Sequence, residues 1–297
     1  TSLGVVSTPE YGKVFIAIES TTGNNLTATE KSTLITALSP FTVASITPVI
    51  VDPQTTNLIL NVNFQFDSSK TTETVTSLAS KINTTLTNYN TTNLAQFDGA
   101  FRHSKVTGLI DDTDISITSN ITTVTLAHNL TPTLNTSKSY TIQLNNKFSN
   151  PHTEHNKAAG GILASTGFKV SGDASNVQFF DDDGAGNIRR YYLVAGVRQY
   201  QDNTAGTITY STGEIKINNI NITSVEEVDE TASTFIRLTV QPDSLDVIPV
   251  RNQILKIDFV NTSIIGAIDT IATGDSSTGT SASAATTTSS YVTPSSY

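Results

Sequence analysis

Two histidines and a glutamate lie within four consecutive residues, a crowding of imidazole and carboxylate groups found nowhere else in the sequence. His152, Glu154 and His155 have side chains that can bind a transition metal or change charge near neutral pH. A zinc site on a helix needs its histidines four residues apart, whereas these two are three apart. Asn150 and Pro151 precede them, and a Gly-Gly pair follows. We therefore expect a polar loop without a metal, with His152 and His155 as the candidates for a metal or pH-sensitive contact.

A second acidic stretch, 181–188 (DDDGAGNI), could bind calcium through its carboxylates. It combines aspartates and glycines in the manner of a calcium loop, but the terminal glutamate of the twelve-residue loop is missing. Phe179 and Phe180 precede it, and Tyr191 and Tyr192 follow shortly after, which is typical of two strands. The pattern favours a hairpin turn over a cation site.

Asp111, Asp112 and Asp114 form a third group of carboxylates that could serve acid–base chemistry. Such chemistry needs carboxylates that converge from different elements, whereas these three are nearly consecutive in one turn. Helix termination is therefore the favoured interpretation. The sequence also lacks a nucleophile elbow, a Walker loop and a dinucleotide-binding fingerprint. We predict that the protein is not an enzyme and binds no cofactor.

The composition excludes several classes of binding partner. The 297 residues carry a net charge of −9, and only 14% of them are charged, so Thr, Ser and Asn fill the surface instead. No basic stripe is present to replace phosphate counterions, which argues against nucleic acid and against an anionic membrane. Cysteine is absent, which excludes disulfides and thiolate metal sites. Methionine is absent too, and we interpret the chain as the C-terminal part of a longer polypeptide.

The elements of the first half follow the order β-α-β-β-α, a short helix, then β. Thr27 and Glu30 form a capping-box pattern ahead of a helix that Pro40 ends. The segment 58–66 alternates apolar and polar residues as a half-buried strand does, with a hairpin loop predicted at 52–56. Thr71–Tyr89 carries the spacing of an amphipathic helix. This order predicts a ferredoxin-like βαββαβ domain over residues 1–128.

The second half changes character after His128. Short strand patterns separated by Gly, Asn and Asp predict an antiparallel sandwich or barrel-like domain over 129–265. The run 260–271 is apolar and predicts an edge strand or a docking arm. The segment 266–297 is rich in Ser, Thr and Ala and predicts an arm or a disordered tail. The fold class expected is thus α+β.

Several stretches resemble one protein family when they are taken together. They are TPEYGKVFIAI (8–18), NLTATEKSTLITALSPF (25–41), FRHSKVTGLIDDTDISITSNITTVTL (101–126), GGILASTGFKV (160–170), DDGAGNIRRYYL (182–193) and DVIPVRNQILKIDF (246–259). These resemble the ring-forming baseplate wedge proteins of T-even-like contractile-tailed phages, within the baseplate J-like family. The match runs over most of Val5 to Phe259 and corresponds to the C-terminal half of the family protein. The Thr/Asn-rich composition is similar to that of marine cyanophage members.

The resemblance implies a structural protein of the virion, located in the tail baseplate and assembled in the host cytoplasm. Family members pair as dimers within each wedge, join into a ring around the hub, and transmit the change that triggers sheath contraction. The implied partners are further copies of the same chain and other wedge proteins, and no catalytic residues carry over. Tyr191, Tyr192 and Tyr200 are then candidate interface anchors, although a β core would use them equally well. One alternative is a tail-fibre or cell-surface binding module. Another is a tail-associated hydrolase, which only His152, His155 and the acidic loops support.

Overall fold

The computed structural model describes residues 11–20, 25–42, 46–150, 161–250 and 252–271. The described part of the protein is mostly β, with 47% of the described residues in strands or bridges and 18% in helices. It forms two compact units, each assembled from separated segments. Unit 1 comprises the described parts of Thr1–Ile59, Asn90–Phe101 and Val124–Val260, and unit 2 those of Leu60–Tyr89, Arg102–Thr123 and Asn261–Tyr297. The division at 128 and 265 predicted from composition stays a prediction.

The elements, in chain order, are β1 (Lys13–Ala17), α1 (Ala28–Leu38), β2 (Thr47–Val51), β3 (Gln54–Phe66), α2 (Val75–Tyr89), α3 (His103–Asp111), β4 (Ile117–Leu130), β5 (Ser137–Gln143), β6 (Leu163–Ser165), β7 (Phe168–Val170), β8 (Asp173–Asp182), β9 (Asn187–Val194), β10 (Val197–Thr209), β11 (Glu214–Val225), β12 (Ile236–Val240), β13 (Gln253–Ile257) and β14 (Ser263–Ile268). A short 3-10 turn, Ser39–Phe41, follows α1, and a π-helical turn, Asn90–Leu94, follows α2.

Helix α1 begins at the capping box that the sequence predicts. The Thr27 backbone N–H donates to the Glu30 carboxylate over 2.8 Å, and the Glu30 N–H donates to Thr27 Oγ1 over 3.3 Å. These two bonds satisfy donors that the first turn of a helix otherwise leaves unpaired. The helix ends at Leu38, because Pro40 has no N–H to continue the ladder.

The ferredoxin-like sheet is not confirmed, since β1 and β2 pair with each other in a separate two-stranded parallel sheet. The predicted hairpin loop at 52–56 is wrong: β3 already begins at Gln54, and β2 is not its neighbour. A strand has only two edges for backbone hydrogen bonds. Strand β3 pairs with β4 and also, in parallel, with β13 in unit 1 and β14 in unit 2. No edge of β3 is left for β1 or β2.

Unit 2 contains the later part of β3, the earlier part of β4, strand β14, and helices α2 and α3. The alternation predicted for β3 is confirmed, because Val62, Phe64 and Phe66 are buried while the residues between them are exposed. Both helices bury one face, formed by Leu78, Ile82, Leu86, Val106 and Ile110. Strand β14 has β3 as its sole partner among the described strands, so the edge-strand expectation for 260–271 is confirmed.

Unit 1 contains a closed antiparallel barrel of five strands, in the order β7-β8-β9-β10-β11 and back to β7. The barrel closes because β8 pairs with both β7 and β9. Its strands bury Phe168 and Phe180, whose ring centroids are 4.6 Å apart, together with Ile188, Ile208 and Ile215. A barrel-like second half is therefore confirmed.

Candidate functional site

Three aromatic side chains form a row across neighbouring strands of the barrel. Phe179 in β8 is opposite Tyr191 in β9, and Tyr191 is opposite Tyr200 in β10. Residues directly opposite each other on antiparallel strands project from the same face. Ring centroids are 5.6 Å apart between Phe179 and Tyr191 and 5.7 Å apart between Tyr191 and Tyr200. All three side chains are half-buried and lie on the face opposite the enclosed Phe180 and Ile188.

A buried carboxylate lies beside this row and accepts four hydrogen bonds from three side chains. Asp181 accepts hydrogen bonds from Arg189 Nε over 2.9 Å and from Arg189 Nη2 over 3.1 Å. It also accepts from Arg198 Nη1 and from the Tyr200 hydroxyl, each over 2.8 Å. A buried charge is tolerated only when it is paired and hydrogen-bonded in this way. Two guanidinium groups against one carboxylate leave a net positive charge at this place in an acidic chain.

The arginines also stack on the tyrosine rings. Arg189 Cζ lies 4.3 Å from the centroid of Tyr200, and Arg198 Cζ lies 4.9 Å from the centroid of Tyr191. Such contacts fix both partners and remove rotamer freedom before any partner binds. Burial raises the pKa of Tyr200, and its bond to Asp181 raises it further. The hydroxyl therefore stays protonated and donates at neutral pH.

The β9–β10 hairpin places apolar groups next to the row. Ala195 and Gly196 form its turn with φ of 49° and 81°, the conformation that tight hairpins require. Leu193 is opposite Arg198 and is 49% exposed. By strand alternation it shares the face of Tyr191. We name the surface formed by Phe179, Tyr191, Leu193, Arg198 and Tyr200 the barrel patch.

The three tyrosines that the sequence singles out do not all lie on one surface. Tyr191 and Tyr200 lie on the barrel patch, whereas Tyr192 is opposite Gln178 and Gln199 and so projects from the other face. His152 and His155 lie outside the described residues. The sequence analysis did not identify four other parts of this site, which are Phe179, Leu193, Arg198 and the buried Asp181–Arg189 pair. The alternation Tyr191-x-Leu193 and Arg198-x-Tyr200 was a signal that could have indicated two of them.

The acidic stretch 181–188 is the predicted hairpin, because β8 and β9 pair antiparallel on either side of it. Its carboxylates are occupied by protein donors. Asp182 accepts from the Leu163 N–H over 2.8 Å and from the Tyr210 hydroxyl over 2.6 Å. Asp183 accepts from the N–H groups of Ala185 and Asn187 over 2.8 and 3.0 Å. These bonds fix the conformation of the turn, so the carboxylates of Asp182 and Asp183 have a structural role.

The acidic turn 111–114 ends helix α3, as the sequence indicates. Asp111 is the last helical residue, and the Asp112 N–H closes the helix on Gly108 O. Asp114 accepts from Lys81 Nζ over 2.8 Å and from the Ser116 N–H over 3.0 Å. These partners, Lys81 first, lower the pKa of Asp114 to about 2. The carboxylate is thus held ionised as a structural link between α3 and α2.

Within the described ranges, no group of three or more His, Asp or Glu side chains is placed to hold a metal ion. No helix among the described residues is long and apolar enough to cross a membrane. A closed barrel that presents an aromatic and arginine surface is typical of a β module that contacts other macromolecules. The fold is therefore that of a β-rich protein, and its aromatic and arginine surface is of a kind that protein interfaces use.

Two family models match segments in the first half of the chain. Residues 4–51 match the model of baseplate structural protein gp6, C-terminal domain I, and residues 56–129 match that of its C-terminal domain III. The comparison with curated protein sequences finds no match. The two matches support a phage baseplate structural protein, from its C-terminal region, and place the protein in the tail baseplate of the virion. They also suggest a structural rather than a catalytic role.

Proposed function

We propose that this protein joins the wedges of a contractile tail baseplate into a ring around the hub. It pairs as a dimer within each wedge, contacts the next wedge side to side, and transmits the change that triggers sheath contraction. The observation that carries the proposal is the match of two separate segments, 4–51 and 56–129, to C-terminal domains of one baseplate structural protein. Myovirus and T-even-like origin, the J-like grouping and the resemblance to cyanophage members are part of the same proposal.

The barrel patch supports contacts with neighbouring chains. Tyrosine and arginine are the residues that most often dominate binding energy in protein interfaces. Here Tyr191, Arg198 and Tyr200 are held in place by stacking and by Asp181. A partner that covers the patch would bury apolar rings without having to order them first. We propose Tyr191 and Tyr200 as anchors of such an interface. Tyr192 is also proposed as an anchor, but it projects from the face opposite the other two.

A second surface in unit 2 fits the same role. Strand β14 is an edge strand whose backbone can pair with another chain. Ile265 and Ile268 are 58% and 50% exposed on it. An exposed apolar edge is an aggregation hazard in a freely diffusing protein, whereas a neighbouring subunit in a permanent assembly would cover it. The proposed partners are further copies of the chain and other baseplate wedge proteins.

An electron cryo-microscopy map of the intact tail tests this function. The proposal expects copies of this chain next to one another in a closed ring around the hub, with changed contacts in contracted tails. A map that places the chain in a peripheral fibre would contradict it. That result would favour the tail-fibre or cell-surface binding module, for which binding on a glycan array would be the next measurement.

A further inference from the structure

The barrel patch exposes a cation and an aliphatic side chain next to each other. Of the two arginines that bind Asp181, Arg189 is 7% exposed and Arg198 is 36% exposed, so the net positive charge reaches solvent through Arg198. Leu193 is opposite Arg198 in the register of β9 and β10 and is half exposed. Opposite charges attract across an interface, and like charges repel each other. The patch therefore fits a partner that presents a carboxylate beside an apolar side chain.

Ligands that bind by stacking, such as nucleic-acid bases, fit the patch less well. They need open ring faces on which to lie. Here Arg198 covers a face of Tyr191, and Arg189 covers a face of Tyr200. Phe179 also stacks on Tyr191, with an angle of 28° between the two ring planes. Much of the ring surface is thus used inside the protein, which favours a protein partner.

The acidic turn that follows helix α3 has the complementary pattern. Asp112 is exposed, and among the described residues no hydrogen bond or ion pair engages its carboxylate. Ile115 is 86% exposed, more than any other Val, Leu or Ile in the described ranges. A carboxylate and an isoleucine three residues apart are therefore both open to solvent. We name residues 111–115 the acidic turn.

Internal hydrogen bonds hold the acidic turn in one conformation. Thr113 Oγ1 donates to Leu109 O over 2.8 Å. Asp114 Oδ1 accepts from the N–H and the hydroxyl of Ser116 over 3.0 and 2.8 Å. A segment that is ordered before it binds loses little conformational entropy on binding. The turn is thus suited to enter an interface as a rigid element.

The barrel patch and the acidic turn consist of different residues, in unit 1 and unit 2 respectively. A contact between them therefore joins two copies of the chain head to tail. Contacts of this heterologous kind build rings when the rotation between copies closes, and filaments when it does not. The contact is of the kind that can build a ring.

We propose that the barrel patch of one copy binds the acidic turn of the next copy. The Asp112 carboxylate forms an ion pair with the Arg198 guanidinium, and Ile115 packs against Leu193 and the ring of Tyr191. An arginine and a carboxylate form one of the stronger polar contacts available to proteins. This inference rests on the proposed ring and identifies the residues of one contact in it.

Sedimentation velocity of two complementary variants tests the proposal. Leu193→Glu makes the patch repel the acidic turn, and Asp112→Arg makes the turn repel Arg198. Each variant alone should need about tenfold more protein, or more still, to reach the mean sedimentation coefficient of the unaltered protein. An equimolar mixture should restore association. In the mixture the new glutamate meets the new arginine at one contact, and the unaltered patch meets the unaltered turn at the next.

A second acidic turn provides the matched control. Asp243 is exposed, and Leu245 close to it is 41% exposed. Asp243→Arg and Leu245→Glu should leave the association unchanged, and loss of association in Asp243→Arg but not in Asp112→Arg would overturn the choice of turn. Failure of the mixture to restore association would overturn the pairing of patch and turn.

The same measurement separates this inference from the proposed function. If the unaltered protein associates and neither Leu193→Glu nor Asp112→Arg weakens that association, this contact is wrong and the ring can stand. If the unaltered protein is a monomer at every concentration, both proposals are overturned. Asp112→Arg places a cation at the C-terminal end of a helix, which is favourable for folding. If circular dichroism shows that Leu193→Glu does not fold, Asp112→Arg and Ile115→Ser decide, and full association of either would overturn the contact.

Discussion

Arg189 holds the buried carboxylate of Asp181 through two parallel hydrogen bonds, Nε to Oδ1 over 2.9 Å and Nη2 to Oδ2 over 3.1 Å. The side chains are 7% and 2% exposed, so neither charge has access to water as an alternative partner. The same carboxylate positions Arg198 and Tyr200 at the surface. A contact inside the barrel wall therefore determines the geometry of the barrel patch.

Replacing Arg189 should destabilise the protein strongly. Arg189→Ala leaves Asp181 buried with a single guanidinium, and breaking a buried ion pair typically costs about 3–5 kcal/mol. Urea unfolding monitored by circular dichroism measures the loss. Lys216→Ala is the control, because its ion pair with Glu214 is partly exposed and should contribute less than about 1 kcal/mol. Equal, small losses for both variants would show that the Asp181–Arg189 pair is not a structural anchor.

The link between α3 and α2 predicts a pH dependence of stability. The pKa of Asp114 is lowered to about 2 in the folded protein, chiefly by Lys81. Its stabilising effect is therefore complete above the unfolded pKa of about 4 and is lost as the pH falls through 2. Because the site is near solvent, the effect should be on the order of 1 kcal/mol. In urea unfolding between pH 5 and pH 2, Asp114→Asn should lose less stability with falling pH than the unaltered protein, and parallel curves would contradict this.

Strand β14 should tolerate no side chain at Gly266. A Cβ at this position would lie 2.3 Å from Cζ of Phe64, which is enclosed in the core of unit 2. Gly266→Ala should therefore cost about 1–3 kcal/mol through overpacking, measured by thermal unfolding. The matched control is Gly108→Ala in helix α3, where a Cβ meets nothing within 4 Å. That variant should stabilise the protein by up to about 1 kcal/mol, and a stabilising Gly266→Ala would show that β14 does not pack on Phe64.

Local features of the fold could be predicted from the sequence. The bonds between Thr27 and Glu30 span three residues, and the alternation of Val62, Phe64 and Phe66 needs only one strand. Such signals depend on neighbours in the chain, so the capping box and the inward face of β3 were predicted correctly. The hairpin at 181–188 was also predicted, because its turn residues lie between two aromatic strands.

The pairing of distant strands could not be predicted in the same way. Strand β3 pairs with β13 and β14, which follow it by about 200 residues. Nothing in the alternation of a strand specifies which distant segment will occupy its edge. The prediction of the site was incomplete for the same reason. The sequence indicated Tyr191 and Tyr200, but the convergence of Arg189, Arg198 and Asp181 depends on the register between strands.

Sedimentation velocity of the isolated protein over a wide concentration range tests the central claim, that this is a self-associating ring component. We expect dimers or larger species whose population rises with concentration. Tyr191→Ala, on the barrel patch, should raise the dissociation constant of these species at least tenfold, which corresponds to about 1.4 kcal/mol of binding free energy. Tyr11→Ala, at a tyrosine that is 95% exposed outside the patch, should not. A monodisperse monomer at every concentration would contradict self-association, and equal association of both variants would contradict the role of the barrel patch in it.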